Sequence, residues 1–141
     1  MKRWVFALLL LLALPLSQPG QAQTLTQRMA GSWFGTGQPD DRSEMFIDTF
    51  NADGSFRNQH RWCRQGKASD LSETGRWRVV GNILNISIAT VSGQPQPRED
   101  RYRINAVDGK TQDYTFLANN FNYKARKVDG KFPMPPCDLS S

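Results

Sequence analysis

The chain has 141 residues, with 18 Lys and Arg against 13 Asp and Glu, one histidine and two cysteines. That length holds one domain. A net charge of +5 is too mild to argue for a nucleic-acid partner, and one imidazole with two thiols leaves no ordinary zinc set.

Met1-Lys2-Arg3 precedes an apolar run from Trp4 to Leu16 that is too short to span a bilayer. With the helix-breaking Pro15 and Pro19 and the small-x-small site Gly20-Gln21-Ala22, it reads as a secretory signal over residues 1–22, cleaved after Ala22. Removing those 22 of the 141 residues leaves a domain of 119, residues 23–141, and the loss of Lys2 and Arg3 lowers the net charge from +5 to +3. No cysteine follows the run, so a soluble protein, periplasmic or secreted, is expected and a lipid-anchored one is not; a monomer is the separate expectation for its oligomeric state.

Thr24 to Ala30 suits one helical turn, and Gly31-Ser32-Trp33 opens a first strand that runs to about Gly37. The loop Gln38-Pro39-Asp40-Asp41 leads to a long hairpin from Arg42 to Cys63, folded at Asn51-Ala52-Asp53-Gly54. Its second arm alternates cleanly. Phe56, Asn58, His60 and Trp62 point inwards, while Arg57, Gln59, Arg61 and Cys63 point outwards. Arg64 to Asp70 reads as a polar loop. Gly75, Trp77 and Val79 then line a fourth strand, and Val80-Gly81-Asn82 turns it into a fifth with Leu84, Ile86 and Ile88 inside.

Ser92 to Pro97 is expected to be loop, because Pro95 and Pro97 lack the donors of a ladder. Tyr102, Ile104 and Ala106 face inwards from a sixth strand. After Val107-Asp108-Gly109-Lys110 comes a seventh strand with Tyr114 and Phe116, and then an eighth with Phe121, Tyr123 and Ala125. Eight successive strands with no helix long enough to cross a sheet predict an all-β, eight-stranded antiparallel up-and-down barrel, whose closure removes both free edges.

Long polar connections after strands one, three and five, against tight turns after two, four and six, predict an open mouth and a closed floor. Trp33, Phe56, Trp77 and Val79 fall near the floor; His60, Trp62, Tyr102, Phe121 and Tyr123 fall in the mouth half. The eighth strand ends at the floor. A tail kept extended by Pro133, Pro135 and Pro136 advances roughly 3.1 Å per residue, enough to climb the outer wall and bring Cys137 to the outward Cys63. Two cysteines in an exported chain are expected to pair.

With Gly31-Ser32-Trp33 opening the first of eight strands after a helical turn, the chain resembles the lipocalin and lipocalin-like superfamily of calycin barrels, and among them the small bacterial lipocalin-like domains. The resemblance spans nearly all of residues 23–141. It implies that Trp33 sits at the barrel floor with a basic residue of the last strand packed on it, Arg126 or Lys124, and that a disulfide ties the C-terminal segment to the wall, as Cys63 with Cys137 would. The chain is shorter than typical lipocalins and lacks a long helix after the eighth strand.

Inward aromatics in the mouth half suit capture of a small apolar or amphipathic molecule, with Asn58 and phenol groups fixing its polar end. A filled core is the alternative reading of the same residues. His60 reads as a hydrogen-bonded neighbour and not as a haem ligand or general base. There is no G-x-S-x-G, no phosphate loop and no second histidine, so neither catalysis nor a cofactor is expected. Asp40-Asp41 and Glu99-Asp100 read as solvated loop acids. The outward Arg57, Arg61, Arg76, Arg78, Arg101 and Arg103 read as a solvated face, or, in the alternative of a protein-interaction or inhibitor module with a filled barrel, as its contact surface.

Overall fold

The structure, a computed structural model, describes residues 22–38 and 41–138. The expected signal segment, up to residue 21, and the Pro39-Asp40 part of the first loop lie outside the described residues. Eight antiparallel strands, each paired with its neighbours in sequence, close into one barrel: β1 (Gly31–Gln38), β2 (Asp41–Phe50), β3 (Ser55–Arg64), β4 (Lys67–Val80), β5 (Ile83–Val91), β6 (Gln94–Val107), β7 (Thr111–Phe116) and β8 (Phe121–Val128). The β1–β8 pairing, Ser32 opposite Val128 to Gly35 opposite Ala125, seals it.

The floor is built as the alternation predicts. Ahead of β1, the short helix α1 (Leu25–Met29) is held by a capping box between Thr24 and Gln27. It delivers Met29, wholly buried, under Trp33, whose indole N–H donates to the Met29 carbonyl at 2.8 Å. Phe50 packs on Phe56 and Trp77, with ring centroids 5.3 and 5.2 Å away. The Trp77 indole donates to Asn51 O at 2.8 Å, so both floor indoles are buried without an orphaned donor. Trp33 does not take Arg126 or Lys124 as its cation. The β8 register sets Lys127 directly opposite Trp33, and its ammonium lies 5.2 Å from the ring while donating to Ala30 O at 3.2 Å. Arg126 points outwards, between the rings of Phe34 and Phe132.

Three local expectations are corrected. Arg64 to Asp70 is no loop: Gln65 and Gly66 take φ of 53° and 73°, a two-residue turn whose twist matches a hairpin, and β4 begins at Lys67. Ser92 and Gly93 turn the same way at 47° and 79°, and β6 begins at Gln94 despite its prolines. Pro95 pairs with Thr90 on β5 alone, because β7 joins β6 only from Tyr102; on an unpaired flank a missing N–H costs nothing. Lastly, a register shift between Ile104 and Ala106 turns Ala106 outwards and puts Val107 in the core. The connections at the mouth end of β3 and β5 are thus as tight as those at the floor. What distinguishes the two ends is the plug of α1.

The tail runs up the outer wall as its length predicts. Phe132 stacks near Phe34 at 5.4 Å, Arg61 donates to Pro135 O at 2.9 Å, and Cys63 is bonded to Cys137.

Candidate ligand-binding site

The turn at residues 51–54 fixes the β2–β3 register, and the register decides what faces into the mouth half. Phe50 lies opposite Phe56, Asp48 opposite Asn58, Phe46 opposite His60 and Glu44 opposite Trp62. One face of the hairpin therefore carries Glu44 and Asp48, two of the three acids of β2, inwards. Phe46 can lie flat on β1 because Gly35 is beneath it; a Cβ there would overlap the ring. From the next strand Glu73 enters opposite Asn58, and Asp100 and Tyr102 enter from β6 opposite Ile86 and Leu84. Tyr114 and Tyr123, paired across β7 and β8, complete the wall.

Between them lies a cavity of about 70 Å³ that opens at the mouth, lined among others by Asp48, Asn58, His60, Tyr102, Tyr114 and Tyr123. Of the residues singled out by alternation, His60, Tyr102 and Tyr123 line it. Trp62 and Phe121 stand at its rim: Trp62 is 41% exposed and stacks on His60 with centroids 4.2 Å apart, and Phe121 lies 4.7 Å from Tyr123.

The electrostatics of this chamber are acidic. Asp48 is 7% exposed and accepts from Asn58 Nδ2 at 2.7 Å and Tyr114 Oη at 3.3 Å. Burial raises its carboxyl from the ordinary 3.8 to about 6, against the two hydrogen bonds and with help from nearby Glu73. Burial, with Asp48 beside them, also lifts the Tyr102 and Tyr114 phenols above their usual range. His60 meets Glu44 at 2.8 Å, yet burial holds the imidazole below its ordinary 6.5. The pair is a short hydrogen bond more than an ion pair.

Arg98 spans the mouth from Asp100, at 3.0 Å, to Glu73, at 2.6 Å. Asp100 is thereby drawn into the chamber, where a solvated loop acid was expected; its neighbour Glu99 faces out and accepts from Ser87. Among the described residues no three His, Cys, Asp or Glu side chains are grouped to hold a metal ion.

The outward arginines are not one free cationic wall. Arg61 is clamped by both oxygens of Asp70 at 2.7 Å, and Arg76 donates to Asp53 O at 2.8 Å. Glu44, Asp48 and Glu73 escaped the reading of the sequence, although a signal for the first two was present. Counting outwards from a five-residue loop at 51–55 sets Asn58 opposite Asp48, and Glu44 then shares its face.

The closed eight-stranded antiparallel barrel is consistent with a calycin-like fold, and no helix among the described residues is long and apolar enough to cross a membrane. No protein-family model and no curated protein sequence matches the chain.

Proposed function

We propose that the protein is an exported, monomeric lipocalin-like barrel that binds a small amphipathic molecule through its mouth, without catalysing a reaction. The observation that carries this reading is the asymmetry of the interior: a floor closed by α1 and the indoles, and above it an aromatic cavity opening beneath the exposed Trp62. The lipocalin likeness rests on Gly31-Ser32-Trp33 after a short helix, on the cation over Trp33, and on the disulfide-tethered tail. Export is supported by that disulfide, which persists in oxidising compartments, together with the signal-like N-terminus.

About 70 Å³ accommodates a compact head group and not a whole lipid, so the remainder of the ligand lies against Trp62 and Phe121 at the rim. The same small volume is what favours the second reading, an interaction module with a nearly filled barrel. Titration with an apolar fluorescent probe separates them. Trp62→Ala should weaken probe binding about three- to tenfold, the worth of one aromatic contact, and leave the melting transition nearly unchanged. A wild type that binds no apolar probe would leave the interaction module as the better account.

A further inference from the structure

The cavity lining includes a buried acceptor that lacks a donor among the described residues. Asn58 is 7% exposed, and its Nδ2 donates to Asp48 Oδ1 at 2.7 Å. That bond fixes the amide orientation, since the reverse would set two acceptor oxygens face to face. Asn58 Oδ1 is left buried without a donor among the described residues, and an orphaned buried acceptor opposes folding.

The Asp48 carboxylate beside it has no cationic partner among the described residues: Arg98 is held by Glu73 and Asp100, and His60 by Glu44. Two carboxylates, Asp48 and Asp100, thus line the cavity, and Glu44 and Glu73 face inwards beyond its lining, paired with His60 and Arg98. Tyr102, Tyr114, Tyr123, Phe46 and Phe56 supply most of the remaining wall, and aromatic rings of this kind attract cations to their faces.

We propose that this cavity is a subsite for a protonated primary or secondary amine, whose N–H groups donate to Asn58 Oδ1 and the Asp48 carboxylate while its carbon chain leaves past His60 and Trp62. The inference rests on the small-ligand reading and names the chemistry of the ligand's head. Each alternative head group fails on a particular atom. A quaternary ammonium carries the charge but has no N–H for Asn58 Oδ1, and its methyl groups crowd a cavity of about 70 Å³. An alcohol has one donor and no charge to offset the carboxylate. A fatty carboxylate brings a further negative charge to a cavity already lined by Asp48 and Asp100.

Calorimetric titration of the wild-type protein at neutral pH with hexylamine, hexyltrimethylammonium, hexanol and hexanoate tests this, because the chain is common and only the head changes. Hexylamine should bind at least about tenfold tighter than hexanol or hexyltrimethylammonium, the worth of one charge-assisted hydrogen bond, and hexanoate should be weakest. Equal or tighter binding of hexanol, hexanoate or hexyltrimethylammonium would overturn the amine subsite and leave the small-ligand reading standing. Binding of none of the four would overturn both. Asp48→Asn, which keeps an acceptor for Asn58, should erase the preference for hexylamine over hexanol. A folded variant that retained the full preference would also sink the proposal, and the wild-type series decides alone if that variant does not fold.

Discussion

Floor and mouth of this barrel are made by the same strands with the same alternation, yet they use it differently. At the floor the inward positions are mostly apolar: both indole N–H groups are bonded, and Met29, Trp33, Phe50 and Leu84 are buried to within 1%, while Gln112, whose Nε2 donates to Met29 Sδ, is the polar exception and keeps an unpaired Oε1. In the mouth half the inward positions of β2, β3, β4 and β6 carry Glu44, Asp48, Asn58, Glu73 and Asp100. Burying such groups opposes folding. The floor therefore supplies stability that the mouth consumes, an arrangement expected where a protein holds polar groups ready for something that is not part of itself.

The contrast can be broken most severely at Trp33. Trp33→Ala should cost about 3–5 kcal/mol in a denaturant melt, while the same change at Trp62 leaves stability close to wild type. Equal losses at the two sites would mean that the mouth is core.

Next comes the tether. The Cys63–Cys137 bridge has a sequence separation of 74, and its removal by a paired serine substitution should lower stability by about 4–5 kcal/mol in the chain-entropy view. Circular dichroism should still report the barrel, since the tail lies outside the ring of strands.

A sharper probe of the mouth is Asp48. Its folded value, about 6, lies above the ordinary 3.8, so the neutral carboxyl is the form the fold prefers. The resulting stabilisation is fully present below pH about 4 and is lost as pH rises through about 6, a span worth about 3 kcal/mol. Wild type should therefore lose that much relative to Asp48→Asn between those limits, read from melts of both proteins across the range. His60, whose value is lowered by burial, acts in the opposite sense in both proteins and cancels in the difference. A flat difference would mean that Asp48 is better solvated than its burial indicates.

The smallest effect is expected at Lys127, whose cation lies over Trp33 from an exposed position. Lys127→Met should cost about 0.5–1 kcal/mol, whereas Lys124→Met, on the outward face of β8, should cost less.

Strand count, inward faces and the disulfide were legible because period-two alternation survives wherever one face is buried; Phe56 to Trp62 and Leu84 to Ile88 are the clearest cases. The failures share a cause in tertiary context. Gln65-Gly66 and Ser92-Gly93 make hairpin turns without the Asn-Gly or Asp-Gly signature, so their strands looked like loops. Pro95 is acceptable because one flank of β6 has no neighbour there, a fact about β7 and not about proline. The shift after Ile104 adds a residue that no periodicity can announce. In the cavity, the aromatic lining was readable, but β2 seemed too mixed to assign a face, so the acids that give the chamber its character were missed. Asp48 becomes recognisable only when paired with Asn58 across the hairpin.

Ile47 points away from the barrel interior and is nonetheless only 6% exposed, because it lies in the groove that Phe132 and Pro133 occupy; Met45, the next outward side chain of β2, is wholly buried beside Arg61, which holds Pro135. A chain that had closed its barrel but not oxidised its thiols would show that pair as an adhesive strip on an otherwise wet wall. The covalent strap thus keeps Met45 and Ile47 covered, and a molecule whose tail had come away would offer that strip to a second copy of itself.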